Sequence, residues 1–154
     1  MPNIDPKLTP MSEWYDIVQQ SQEKVGYDFD DELQSYLVLT LDHFTTNHSL
    51  SSNIIALDFL ENANLTNSQD ADKLRDVGDQ CLILSGLFPN RVLSKNVSLH
   101  YLVGMGRNAY NIIAVVNPIQ KYDPDLFFSL CDNFVGLMDI LYHMRMIDND
   151  RLLS

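Results

Sequence analysis

Apolar residues recur at three- and four-residue intervals in six successive stretches of this chain, and capping or turn-forming residues separate the stretches. That interval places the apolar side chains of each stretch on one face of a helix. No stretch of comparable length alternates with the period of two that a half-buried strand requires. The punctuation agrees with the period. Thr9 and Pro10 open a first helix and Gly26 closes it, because Pro suits the first helical position and Gly the position just past the end. Trp14, Ile17, Val18 and Val25 form its inward face. A second helix spans roughly Asp30 to Thr46 on Leu33, Tyr36, Leu37, Thr40, Leu41 and Phe44, with Asp30, Asp31 and Glu32 at its positive end.

A short third helix follows Ser51 or Ser52 and carries Ile54, Ile55, Leu57, Phe59 and Leu60. The fourth begins near Thr66, where Thr66 and Gln69 have capping-box spacing, and presents Leu74, Val77, Gly78, Cys81, Leu82, Ser85 and Phe88 before Pro89. Residues 89–97 read as an irregular link. The fifth helix runs from Ser98 to about Asn117 and stops before Pro118. The sixth starts with Asp123 as cap and Pro124 at the first position, and continues from Leu126 through Met146 as one helix. The pattern predicts an all-α, single-domain bundle of about six helices over residues 1–154, with 1–8 as an N-terminal arm.

The fifth helix is apolar around most of its circumference: Leu99, Leu102, Val103, Gly106, Tyr110 and Ile113 form one stripe, and Tyr101, Met105, Ala109, Ile112 and Val116 a second. A helix of that kind is buried on most sides, so the segment near 98–117 is predicted to be central, beside the fourth and sixth helices. Glycine weakens a helix interior relative to alanine, so Gly78, Gly104, Gly106 and Gly136, with Ser85, are predicted to mark close helix crossings. Leu at position 106 is expected to overpack, and Ala to be tolerated.

Charge is distributed unevenly. The chain carries a net charge of −11, which argues against general nucleic-acid binding, since phosphate contacts need clustered Lys and Arg. Residues 1–80 hold fifteen acids and four bases, whereas residues 81–154 hold six of each. No acid occurs between Asp79 and Asp123, while Arg91, Lys95, Arg107 and Lys121 do. An acidic half joined to a mildly basic middle is either a solvated acidic face or a surface that docks a complementary partner. The longest apolar stretch, Leu126 to Leu141, is interrupted by Asp132, Asn133 and Asp139, so no membrane span is expected. The opening MPNIDPKLTP lacks the basic and apolar regions of a secretory signal, which makes cytoplasmic the expected location. Cys81 and Cys131 both fall within apolar helical patterns and read as core thiols.

Catalytic and cofactor motifs fail on their own physics. Gly104-Met-Gly106-Arg-Asn-Ala109 matches a dinucleotide-binding G-x-G-x-x-A, but that motif needs a strand-to-helix turn, and one continuous helix explains more of these residues. A di-metal carboxylate bundle needs Glu-x-x-His pairs, which are absent. Asp28-Phe-Asp30-Asp31-Glu32 begins like a calcium loop, yet the twelfth position is Leu39; helix capping is the better account. Asp139 and His143 stand four apart on the polar side of the sixth helix, with Asp125, Ser129, Asp132 and Gly136, and are expected to form an exposed ion pair. The best candidate for a functional spot is polar: His100, Arg107 and Asn111 on the fifth helix, meeting an acid from a neighbouring helix, with Arg75 and Asp79 four apart on the fourth.

The phrases DVGDQCLILSGLFPNRV (76–92) and SLHYLVGMGRNAY (98–110) are similar to stretches of bacterial proteins of unknown function, a resemblance covering about residues 74–116. It implies a bacterial origin and a helical Gly104 region, and no activity or site residues. The sequence therefore points to a bacterial, cytoplasmic, non-catalytic protein that works through protein contacts, with a homodimer or another protein as partner and no cofactor. The alternative is a bundle that binds a small molecule or lipid, or an enzyme, with its pocket between the fourth, fifth and sixth helices.

Overall fold

The computed structural model describes residues 10–47, 68–94, 98–116 and 122–147. They form seven helical segments: α1 (Pro10–Val25), α2 (Asp31–Asn47), α3 (Ser68–Leu87), α4 (Pro89–Ser94), α5 (Leu99–Val116), α6 (Pro124–Asp132) and α7 (Phe134–Ile147). All but α4 have nine residues or more, and the described residues contain no strand. The architecture is the all-α bundle that the periodicity predicts. A helix after Ser51, the capping box at Thr66 and the Thr9 cap lie outside the described residues.

Local chemistry explains the boundaries. Gly26 adopts φ +89°, a left-handed conformation that lets both its own amide and that of Tyr27 donate to the Gln22 carbonyl and close α1. Asp30 accepts from the Leu33 amide at 2.9 Å and so caps α2, the role expected of it. Asp123, with extended backbone, accepts from the Asp125 amide at 3.0 Å ahead of Pro124. Two expectations need correction. The link after Phe88 is not irregular throughout: Pro89 at a first helical position starts the short α4. The sixth helix is not continuous either. Asn133 interrupts it with φ −102° and ψ 13°, its amide and its side-chain Nδ2 both donating to the Ser129 carbonyl at 2.9 Å.

α3 and α5 share the centre. α5 packs chiefly on α3 and α6, α3 also lies along α7, and α1 bridges α2 and α7. Every residue from Val77 to Leu87 of α3 is buried. α5 has one strip open to solvent, comprising His100, Tyr101, Gly104, Arg107, Asn108, Val115 and Val116, with Asn111 half-buried beside it.

Three of the predicted crossings are tight. A Cβ at Gly78 would stand 2.5 Å from the Tyr110 ring, one at Gly106 would stand 2.6 Å from the Phe134 ring and 2.9 Å from Cys81 Cβ, and one at Gly136 would stand 3.0 Å from Tyr27 and Phe29. The alanine tolerance expected at Gly106 is thus overturned, since even one methyl group collides with a fully buried ring. Gly104 is not a crossing among the described residues, for a Cβ there would meet none of their atoms within 4 Å. Gly86 is a crossing that the periodicity missed: a Cβ would lie 2.6 Å from Leu141.

Candidate functional site

The most elaborate polar constellation is buried where α2, α3 and α5 meet. Leu82, Leu74 and Val77 pin α3 into the core, and the same helical phase carries Asp79 inward with them. Its Oδ1 accepts two hydrogen bonds, from the hydroxyl of Tyr36 on α2 and from that of Tyr110 on α5, each 2.6 Å. The Tyr110 ring reaches this position by passing over Gly78, where a Cβ would stand 2.5 Å from it. On the other oxygen, Oδ2, the Arg75 guanidinium stands one helical turn away at 4.0 Å. Arg75 is half-buried, also faces Asp76 at 3.6 Å, and lies over the Tyr122 ring with 5.7 Å to its centroid. The Tyr122 hydroxyl donates to Asp72. Phe127 of α6 packs edge-on against Tyr36, Tyr110 and Tyr122 and seals the cluster from below.

Burial governs the electrostatics of this cluster. Removing the Asp79 carboxylate from water raises its pKa to about 6, against the opposing pull of the Tyr110 and Tyr36 hydrogen bonds and the Arg75 charge. Burial also pushes Tyr36 and Tyr110 well above the ordinary phenol range, with the Asp79 charge adding to it. Both phenols therefore remain donors at neutral pH. Desolvation first, then Asp79, raises the Cys81 thiol to about 12, which makes it an inert core residue. Both cysteines are free thiols. The arrangement satisfies a buried carboxyl group and joins three helices.

The structure divides the predicted polar cluster into two. Arg75 and Asp79 are together, with Tyr36 and Tyr110 as partners that sequence reasoning did not select; both tyrosines lay on helical stripes assigned to the apolar core. His100, Arg107 and Asn111 lie on the outward side of α5 instead. Among the described residues Arg107 meets no acid there. Its Nε donates at 3.1 Å to the Cys131 carbonyl, close to the negative end of α6, which suits a cation. The expected Asp139–His143 ion pair is not formed. Asp139, exposed on α7, accepts from the Tyr27 hydroxyl at 2.9 Å instead, and the break at Asn133 shifts the helical phase so that Gly136 is buried and not solvated. Nε2 of His143 is buried with no partner among the described residues.

No group of three or more metal-ligating side chains occurs among the described residues, and no described helix is long and apolar enough to cross a membrane. The space predicted for a pocket, between α3, α5, α6 and α7, holds the fully buried side chains of Tyr110, Phe127, Phe134, Leu82 and Leu137. A depression of about 370 Å³ opens elsewhere, between α4 and the end of α7, lined by Pro89, Asn90, Tyr142, Arg145 and Met146. Tyr142 and Met146 are at least half exposed, so this is a surface feature and not an enclosed chamber.

Exposed apolar side chains follow the charge asymmetry. Among the described residues eight large apolar side chains are substantially exposed, and seven of them lie on α5, α6 and α7: Tyr101, Val115, Val116, Phe128, Val135, Tyr142 and Met146. Only Leu39 belongs to the acidic half. Comparison of the chain with protein-family models, curated proteins and solved structures gives no match.

Proposed function

We propose that this protein acts by associating with protein surfaces, in the first place with a second copy of itself, and that the α5–α7 side is the contact surface. One observation carries the reading: among the described residues, those of the half with balanced charge present seven of the eight exposed large apolar side chains. Surface hydrophobes scattered singly need no explanation, but a one-sided distribution that coincides with the loss of net charge marks an interaction face. The acidic helices α1 and α2 then serve to keep the assembly soluble. The buried Asp79 cluster holds the three helices together behind that face. The setting of the reading is a reducing, cytoplasmic and bacterial one, in keeping with two free thiols.

Sedimentation velocity at micromolar concentration, in low and in high salt, tests the reading. A dimer is expected, and Leu39→Asn is expected to leave it unchanged, because Leu39 lies on the acidic half. A strictly monomeric species at both salt concentrations overturns self-association.

A further inference from the structure

Arg145 is the cation in the last turn of α7, and the end of α3 holds it in place. Its Nη1 donates at 3.3 Å to the carbonyl of Leu87, the last residue of α3, two positions before the proline that opens α4. Carbonyls at a helix end lack an intrahelical donor, and the helix dipole is negative there, so this contact anchors the guanidinium at the corner between α3, α4 and α7. Among the described residues no acid lies within ion-pair distance of Arg145, and its Nε–Nη2 edge has no hydrogen-bond partner. That edge carries two parallel N–H groups whose spacing matches the two oxygens of a carboxylate. The depression that Arg145 lines has a volume of about 370 Å³, within the range of small-molecule sites. Its other walls are Pro89 and Asn90 of α4 and Tyr142 and Met146 of α7. Tyr142 and Met146 are neighbours four apart on the helix, 50% and 65% exposed, and so leave an aromatic ring and a thioether in water beside the cation. None of the five lining residues is acidic, in a chain whose net charge is −11.

We infer that this depression binds a small organic carboxylate with an apolar, ring-sized body. The carboxylate pairs with the Nε–Nη2 edge of Arg145, and the body lies against Tyr142, Met146 and Pro89. A guanidinium already fixed by a backbone carbonyl loses little freedom on taking up a ligand, which is what separates it from an arginine whose head moves freely in water. The aromatic ring and the thioether are adaptable apolar walls, and removing them and the ligand body from water supplies most of the affinity. A phosphate dianion calls for a second cation, and the lining has none. The single charge fixes orientation, so the site selects an anion by its headgroup and retains it by its body. The inference uses two side chains of the α5–α7 side but does not rest on the self-association proposed above.

Naphthoate, titrated into the isotope-labelled full chain and followed by amide chemical shifts, tests the inference, with naphthamide and acetate as controls. Saturable shifts are expected at Asn90, Tyr142, Arg145 and Met146 and their neighbours. Naphthamide keeps the body without the charge, and acetate the charge without the body; each is expected to bind at least about fivefold more weakly. Arg145→Gln removes the anion partner, and Met146→Glu sets a carboxylate into the wall at an exposed position where the fold does not depend on the side chain. Both variants are expected to keep the wild-type amide spectrum elsewhere and to weaken naphthoate about fivefold or more. Shifts that fail to saturate at millimolar naphthoate, or that map to other helices, overturn the site. Equal binding of naphthamide, or wild-type affinity in either variant that keeps the fold, overturns Arg145 as its anchor. Acetate that binds as tightly as naphthoate overturns the apolar body.

Discussion

Asp79 keeps its place in the core only because two phenols donate to it. A buried carboxylate without such donors is unfavourable by several kcal/mol, and the paired tyrosines with Arg75 offset part of that cost. The remainder appears as a pKa of about 6. Because the folded-state value lies above the unfolded one near 3.8, the folded molecule binds this proton more tightly. The stability contributed by this group is therefore fully present below pH ~4 and is lost as pH rises through about 6. The loss amounts to on the order of 3 kcal/mol for a shift of this size. Asp79→Asn is expected to remove that slope, which urea midpoints at pH 4.5, 6 and 7.5 measure against the wild type; equal slopes in the two proteins would show that Asp79 does not carry it. Gly106 gives a second test at this scale. Gly106→Ala is expected to destabilise by about 1–3 kcal/mol, because the methyl group collides with Phe134 and Cys81. A thermal melt of Gly106→Ala at or above the wild-type temperature would contradict the crossing of α3, α5 and α7.

Helix ends, more than helix interiors, decide how the elements are aimed. Asp123 and Pro124 start α6 together: the carboxylate takes the Asp125 amide and the proline ring supplies a helical φ where no donor is needed. Asp123→Ala is expected to cost about 1 kcal/mol, read from urea denaturation, with no change in helix content of the folded state. A loss indistinguishable from zero would mean that Pro124 and packing alone fix this end. The stop at Asn133 matters more for architecture. By ending α6 and restarting at Phe134 it turns α7, so that Gly136 faces Tyr27 and Phe29 while Val135, Tyr142 and Met146 face solvent. An uninterrupted helix keeps Gly136 on the polar side with Asp125 and Ser129, which is how the sequence reads.

Across the whole molecule, burial is greatest along α3, which is enclosed by α4, α5 and α7. Amides of Val77–Leu87 are therefore expected to exchange with solvent only through global unfolding, and to be the slowest among the described residues. Native-state hydrogen exchange in which α5 or α7 outlasts α3 would place the most stable unit elsewhere. Charge acts on the same scale and in the opposite sense. Acids concentrated on α1 and α2 raise solubility, and the acid-free middle relieves repulsion on the side where the apolar side chains are exposed.

The helical type and the approximate starts and ends of α1, α2, α3 and α5 were legible in the chain, because a repeat of three to four and a Pro, Gly or Asp at a helix end are local signals that report on one helix at a time. So was the polar character of His100 and Arg107 on an otherwise apolar helix, and both are exposed. What required the tertiary structure were the meetings between helices. Tyr36, Asp79 and Tyr110 are separated by 43 and 31 residues, and each satisfies its own helical pattern without reference to the others. Which glycines are crossings was equally invisible: Gly104 and Gly106 are two residues apart on one helix, yet 200° of helical rotation turns one to open solvent and the other against Phe134. Periodicity specifies which face of a helix is buried; only packing specifies what that face is buried against.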